Sequence, residues 1–193
     1  EQVMEQVAQD KPYYDDSHGG VTISGGEAFC QREFALEIAQ ACHARGISVG
    51  LETNLNTPME QARPLLSQVD LIMCDVKLFD GERHRKWTGV GNETIQANLC
   101  LLDDLDVPYI VRTPVIPGVN DGDGDIAAIA EFLRSCKNLM YYELLNFNPL
   151  GMPKYESLSR PNPFEGVRPL PGARMRELAA VARAAGVNAR SDG

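Results

Sequence analysis

Five apolar runs along the chain end in polar clusters: VTISGGE, ISVGLETN, VDLIMCDVK, PYIVRTPVIPGVN and MYYELLNFNPLG. Between them the apolar spacing lengthens to that of a helix face. Phe34, Ile38 and Cys42 recur at i, i+4 and i+8 before Gly46, and Ile126, Ile129, Ala130 and Leu133 form one stripe in the stretch from Asp125 to Arg134. Met175, Leu178, Ala179 and Ala182 do the same before Gly186. The opening segment through about Ala8 reads as a helix and the Gly/Pro-rich stretch from Pro161 to Gly172 as a loop. The runs start roughly 25 to 40 residues apart, a strand plus its crossover helix, which predicts parallel pairing. The expected order is α-β-α-β-α-β-α-β-α-β-α, an α/β fold. Parallel α/β folds build their sites just past the strand ends, where these polar clusters lie.

Period-two alternation in VDLIMCDVK puts Leu71, Met73, Asp75 and Lys77 on one face and Ile72, Cys74 and Val76 on the other. Asp75 and Lys77 then project over the strand end, either as a structural ion pair or as partners for a zwitterionic ligand. In SGGE, Gly25 and Gly26 let the backbone approach a ligand closely and Glu27 adds a carboxylate, although a tight turn reads the same way. Glu52 and Thr53 of ETN are left for a site if Thr57 and Pro58 cap the following helix. Arg112 stands where it could clamp a carboxylate or bridge to Asp75. Asn146 and Asn148 are suited to a base edge or hydroxyl, with a turn before Pro149 as the other reading of Asn148.

Length and charge narrow the function classes. A chain of 193 residues with 44% hydrophobic content is expected to form one domain, residues 1–193. The net charge of -9 disfavours nucleic acid and anionic membrane as partners. The acidic, amphipathic start is unlike a signal peptide, and a cytoplasmic protein is expected. The five cysteines, Cys30, Cys42, Cys74, Cys100 and Cys136, show no C-x-x-C pair, so they read as reduced thiols in core packing, with no disulfide framework or cluster site.

Taken in order and spacing, GGVTISGGEAFCQ, LETN, VDLIMCDVKLFDGERHRKWTGVGNETIQANL, VRTPVIPGVND and ELLNFNPLGMPKY resemble the glycyl-radical-enzyme activating enzymes of the radical S-adenosylmethionine (SAM) superfamily. The resemblance implies a partial (β/α) barrel. It places Ser24, Gly25, Gly26 and Glu27 at the amino group of SAM, Asp75 and Lys77 as a D-x-K pair near its carboxylate, and Glu52, Thr53, Arg112, Val115, Ile116 and Asn148 around it. Glu52, Thr53, Met73 and Asp75 coincide with positions that hold a monovalent cation in some members. It further implies a [4Fe-4S] cluster, reductive cleavage of SAM to a 5′-deoxyadenosyl radical, a glycyl radical enzyme as partner, and flavodoxin or ferredoxin as electron donor. The alternatives are a small-molecule radical SAM enzyme and a non-catalytic SAM- or partner-binding domain. Ala28 after SGGE, Glu52 in place of the commoner Asp, and Asn148 in place of His depart from the family pattern. The cluster-binding C-x-x-x-C-x-x-C is not in this sequence, and a first β-α element bearing it is expected upstream of residue 1. The strand at Val21 is accordingly expected to form a sheet edge prone to self-association.

Overall fold

A computed structural model of the chain describes residues 1–151, 155, 157 and 159–192. Two helices open it, α1 (Gln2–Gln9) and α2 (Lys11–Ser17), followed by β1 (Gly20–Ile23), α3 (Arg32–His43), β2 (Ser48–Thr53), α4 (Met59–Leu66) and β3 (Leu71–Asp75). Helices α5 (Gly81–Thr88) and α6 (Glu93–Leu102) lead to β4 (Tyr109–Val115), α7 (Asp123–Leu133), β5 (Leu139–Asn146), α8 (Gly172–Ala184) and β6 (Ala189–Ser191). All six strands lie in one sheet in chain order, each parallel to the next. β1 and β6 end the sheet, which makes it an open, partial barrel.

The alternation expected for β3 is realised: Ile72 and Cys74 are fully buried while Leu71, Met73 and Asp75 are only partly so. β2 and β4 follow the same rule, sending Val49, Leu51 and Thr53, and Val111, Thr113 and Val115, into the packed face. The opposite face carries Glu52, Arg112, Pro114 and Ile116. A polar chain crosses the buried face, where Tyr142 Oη donates to Thr113 Oγ1 at 2.8 Å and Thr113 donates to the Val76 carbonyl at 2.5 Å. Three neighbouring strands are thereby tied at their rim ends without an unpaired hydroxyl.

Several local expectations are corrected. The closing strand β6 was not expected; three residues, ARS, are too short to show a period. The buried stripe of α3 is Ala35, Ala39 and Cys42, which leaves Phe34 half-exposed, because small residues let α3 sit close to the sheet. Pro58, and not Thr57, is the N-cap of α4, with no side-chain hydrogen bond, while the Thr57 carbonyl accepts from Asn98 at 2.7 Å. Cys30 and Cys100 are exposed and Cys136 is half-buried, because they fall beside and not within the apolar stripes; only Cys42 and Cys74 are core thiols. No helix among the described residues is long and apolar enough to cross a membrane.

Candidate functional site

At the C-terminal ends of β1 to β4 the rim residues converge on a hollow of about 190 Å³, lined by Ser24, Gly25, Gly26, Glu27, Glu52, Thr53, Asn54, Asp75, Lys77 and Arg112. Residues nearly ninety positions apart thus meet because consecutive parallel strands end side by side. Gly25 has φ +127°, a conformation that favours glycine, and a Cβ at Gly25 or Gly26 would meet nothing within 4 Å. These two residues therefore form an open lip of bare backbone.

The charges within the hollow are organised around Arg112. Its Nη1 donates to Glu52 Oε1 at 2.9 Å and lies 4.0 Å from Met73 Sδ, and its Nε lies 3.8 Å from Asp75 Oδ1 without a hydrogen bond. Ser24 Oγ donates to the other Glu52 oxygen at 2.5 Å. The Ser24 bond and, after it, Arg112 hold the Glu52 carboxyl below the usual carboxylate range, against an opposing push from partial burial. Lys77 Nζ is 3.3 Å from Asp75 Oδ2. The hollow is thus lined by two cations and three carboxylates, and the buried Arg112 Nε has no hydrogen-bond partner.

Glu27 has a different job from that of a free ligand group. Its carboxylate accepts from Thr53 Oγ1 and Asn54 N, each at 2.9 Å, and from Phe29 N at 3.3 Å, so it welds the loop after β1 to the end of β2. Thr53, on the strand face opposite Glu52, is where strand alternation puts it within reach of Glu27. Of the four positions matching a monovalent-cation set, Glu52, Met73 and Asp75 surround the Arg112 guanidinium, and Thr53 is bonded to Glu27. The Arg112 guanidinium thus stands among three of these four residues in this structure.

A second, larger and more apolar hollow of about 460 Å³ opens at the ends of β4 to β6, lined chiefly by Pro114, Ile116, Leu145, Phe147, Asn148 and Phe164. Ile116 and Asn148 therefore sit in a neighbouring compartment and not in the polar hollow. Val115 lines neither, since strand alternation turns it into the core, fully buried. Asn148 Oδ1 accepts from Leu150 N at 2.9 Å, so Asn148 opens a turn that runs through Pro149. The Asn146 amide is spent on both backbone groups of Leu170, at 2.8 and 2.9 Å. Phe164, stacked on Trp87 with ring centroids 5.9 Å apart, was not singled out from sequence because it lies in the stretch read as a loop. Met152, Pro153 and Lys154 of NPLGMPKY lie outside the described residues.

A parallel partial barrel with a zwitterion-sized polar hollow at its strand ends defines a class of ligand-binding α/β proteins. The radical SAM superfamily model matches residues 1–133, and the chain belongs to that superfamily. Among curated proteins it is 39% identical over 170 residues to a (2S)-3-sulfopropanediol dehydratase activating enzyme of Klebsiella oxytoca, covering 87% of this chain and 54% of that one. It is 32% identical over 180 residues to a pyruvate formate-lyase-activating enzyme of Streptococcus mutans, covering 90% and 68%. Among solved structures, a domain of pyruvate-formate lyase-activating enzyme from Bacteroides vulgatus superposes with a TM-score of 0.75 at 26% identity, covering 91% of this chain and 99% of that one. The chain spans little more than half the length of the first curated relatives it matches.

Membership of this superfamily implies SAM and a [4Fe-4S] cluster. The hollow holds groups of the kinds the amino-acid end of SAM needs: the Lys77 ammonium and the Arg112 guanidinium for a carboxylate, and Asp75 with the open backbone at Gly25 and Gly26 for an ammonium. The thiols do not fit a cluster. Among the described residues no three His, Cys, Asp or Glu side chains are grouped as metal ligands, and burial pushes the Cys74 thiol well above its ordinary pKa.

Proposed function

We propose that the protein is a radical SAM activase that installs a glycyl radical on a partner enzyme. SAM binding is carried by one observation: Ser24 to Glu27, Glu52, Asp75, Lys77 and Arg112, which come from four strand ends, line a single polar hollow. The activase reading is supported by the identity to activating enzymes of glycyl radical type. SAM binds with its methionyl carboxylate toward Lys77 and Arg112, its ammonium toward Asp75 and the Gly25–Gly26 lip, and its adenosyl end toward the apolar hollow at Ile116 and Asn148. When bound and reductively cleaved, SAM supplies hydrogen-abstracting chemistry. The residues of this chain orient it and keep water out, and none acts as an acid or base.

The partner is a glycyl radical enzyme and the electron donor a flavodoxin or ferredoxin, in the cytoplasm. One domain over residues 1–193 is supported by a single core shared by all six strands and the helices against them. The test is anaerobic incubation of full-length protein with dithionite, SAM and candidate glycyl radical enzymes, followed by electron paramagnetic resonance. The expected result is a SAM-dependent doublet from a backbone glycyl radical, lost or strongly reduced in Asp75→Asn and Lys77→Ala variants that keep their melting temperature within a few degrees. A modified small molecule with no protein radical would instead assign the site to a small-molecule radical SAM enzyme.

A further inference from the structure

The last backbone bond between β3 and β4 at the rim is Val76 N to the Arg112 carbonyl, at 2.9 Å. Beyond it the two chains are joined by side chains. Thr113 takes the Val76 carbonyl, and the next carbonyl, that of Lys77, is taken by Asn120. Asn120 is 1% exposed. Its Nδ2 donates to the Lys77 carbonyl at 2.7 Å and to the Pro114 carbonyl at 2.9 Å, and its Oδ1 accepts from Ile116 N at 2.7 Å. Both amide hydrogens and one acceptor site are thus spent on backbone groups of two different segments, the loop after β3 and the end of β4 with its following loop.

Those segments carry different compartments. Lys77 belongs to the polar hollow, while Pro114 and Ile116 wall the apolar one. The bracket is itself anchored from behind. Arg83 on α5 donates to the Val119 carbonyl at 2.5 Å and forms a two-pronged pair with Asp125 on α7, which fixes the residue preceding Asn120. Asn120 holds the Lys77 backbone on the far side of Val76, while the Lys77 side chain has its 3.3 Å contact with Asp75, a partly exposed pair with little hold of its own.

We propose that Asn120 is a positioning residue that sets the distance between Lys77 and the Pro114–Ile116 wall, so that one ligand engages both hollows at once. The inference rests on assigning the methionyl end of SAM to the first hollow and its adenosyl end to the second. A bonded carbonyl and amide on either side give the two segments one fixed spacing, and displacement of a bound reactant by about 1 Å is enough to cost about a hundredfold in rate.

The experiment measures SAM affinity and melting temperature on full-length, anaerobically purified protein without reductant. Asn120→Ala is expected to weaken SAM binding about tenfold, the equivalent of about 1.4 kcal/mol. Lys77→Ala weakens it too, and the double variant is expected to lose less than the product of the two single losses, because Asn120 acts in part through Lys77. Asp103→Asn is the control. It alters a partly buried junction at the opposite end of the strands, where Asp103 accepts from Lys137 N, Asn138 N and Tyr109 Oη, and is expected to lower the melting temperature without changing affinity. If Asn120→Ala does not fold, Asn120→Ser, which keeps a hydroxyl for one carbonyl, carries the same comparison. Wild-type affinity in the Asn120 variant, or losses that multiply in the double variant, would reduce Asn120 to a structural residue and overturn the proposal. Unchanged affinity in Lys77→Ala would instead remove the ligand assignment on which the proposal rests, and the proposal with it.

Discussion

Arg112 could reach either Asp75 or Glu52, and the distances decide for Glu52, at 2.9 Å against 3.8 Å. Asp75 keeps the weaker share and is left to Lys77 and a ligand. Glu52 is the best-held carboxylate of the site, with hydrogen bonds from Ser24 and Arg112. Its folded pKa lies below its unfolded one, so its contribution to stability is present above the unfolded value, about 4.3, and is lost as pH falls through the folded value. Ser24→Ala removes the leading cause of the depression. It is expected to raise the Glu52 pKa, read from the side-chain carboxyl shift in an NMR titration, and to move the acid-unfolding midpoint upward. An unchanged Glu52 titration would show that Arg112 alone sets its charge. Glu52, Asp75 and Arg112 were legible as strand-end chemistry in the sequence and Ser24 through the family resemblance, but their pairing was not. Pairing depends on which strand ends stand side by side, and the candidate partner named from sequence, Asp75, proved to be the more distant one.

At the scale of elements, β1 is the most vulnerable part of the site. It has four residues, pairs only with β2, and carries the SGG lip directly after it. Its first residue is Gly20, whose Cβ, if present, would lie 2.1 Å from the Ser48 carbonyl oxygen. That oxygen is backbone and cannot move aside without disturbing the β1–β2 register. Gly20→Ala is therefore expected to destabilise the fold by about 1–3 kcal/mol, as overpacking does elsewhere, and to weaken the ligand pocket through the displaced lip. Thermal unfolding together with hydrogen exchange over residues 20–27 checks this. A local rise in exchange with little change elsewhere is the expected pattern, and wild-type protection there would refute it. The repeated strand-helix order was readable from the chain because each element carries its own period. β6 was not, because three residues held by β5 and α8 have none.

For the whole molecule, one consequence of an open sheet is a free edge. β1 is bonded on one side only, and its Val21 and Thr22 are partly or fully exposed. The polypeptide of 193 residues is expected to self-associate with rising concentration in light scattering, and Val21→Lys is expected to suppress this. A monomer at every concentration would mean that α1 and α2 already guard the edge. Net charge opposes association only weakly over short distances at physiological salt, since -9 is spread over the whole surface.

The sequence by itself determined the α/β class, the parallel order of its first five strands, and which residues lie at their ends. Those features follow from backbone periodicities that any stretch of chain expresses locally. Only the tertiary structure decided that Arg112 would choose Glu52, that Glu27 and Thr53 would bond to each other, that Val115 would face the core, and that Asn120 would hold Lys77 to Ile116. Each of these joins residues far apart in the chain or selects one of two faces. The choice is made when packing brings particular strand ends together and every buried polar group must find a partner.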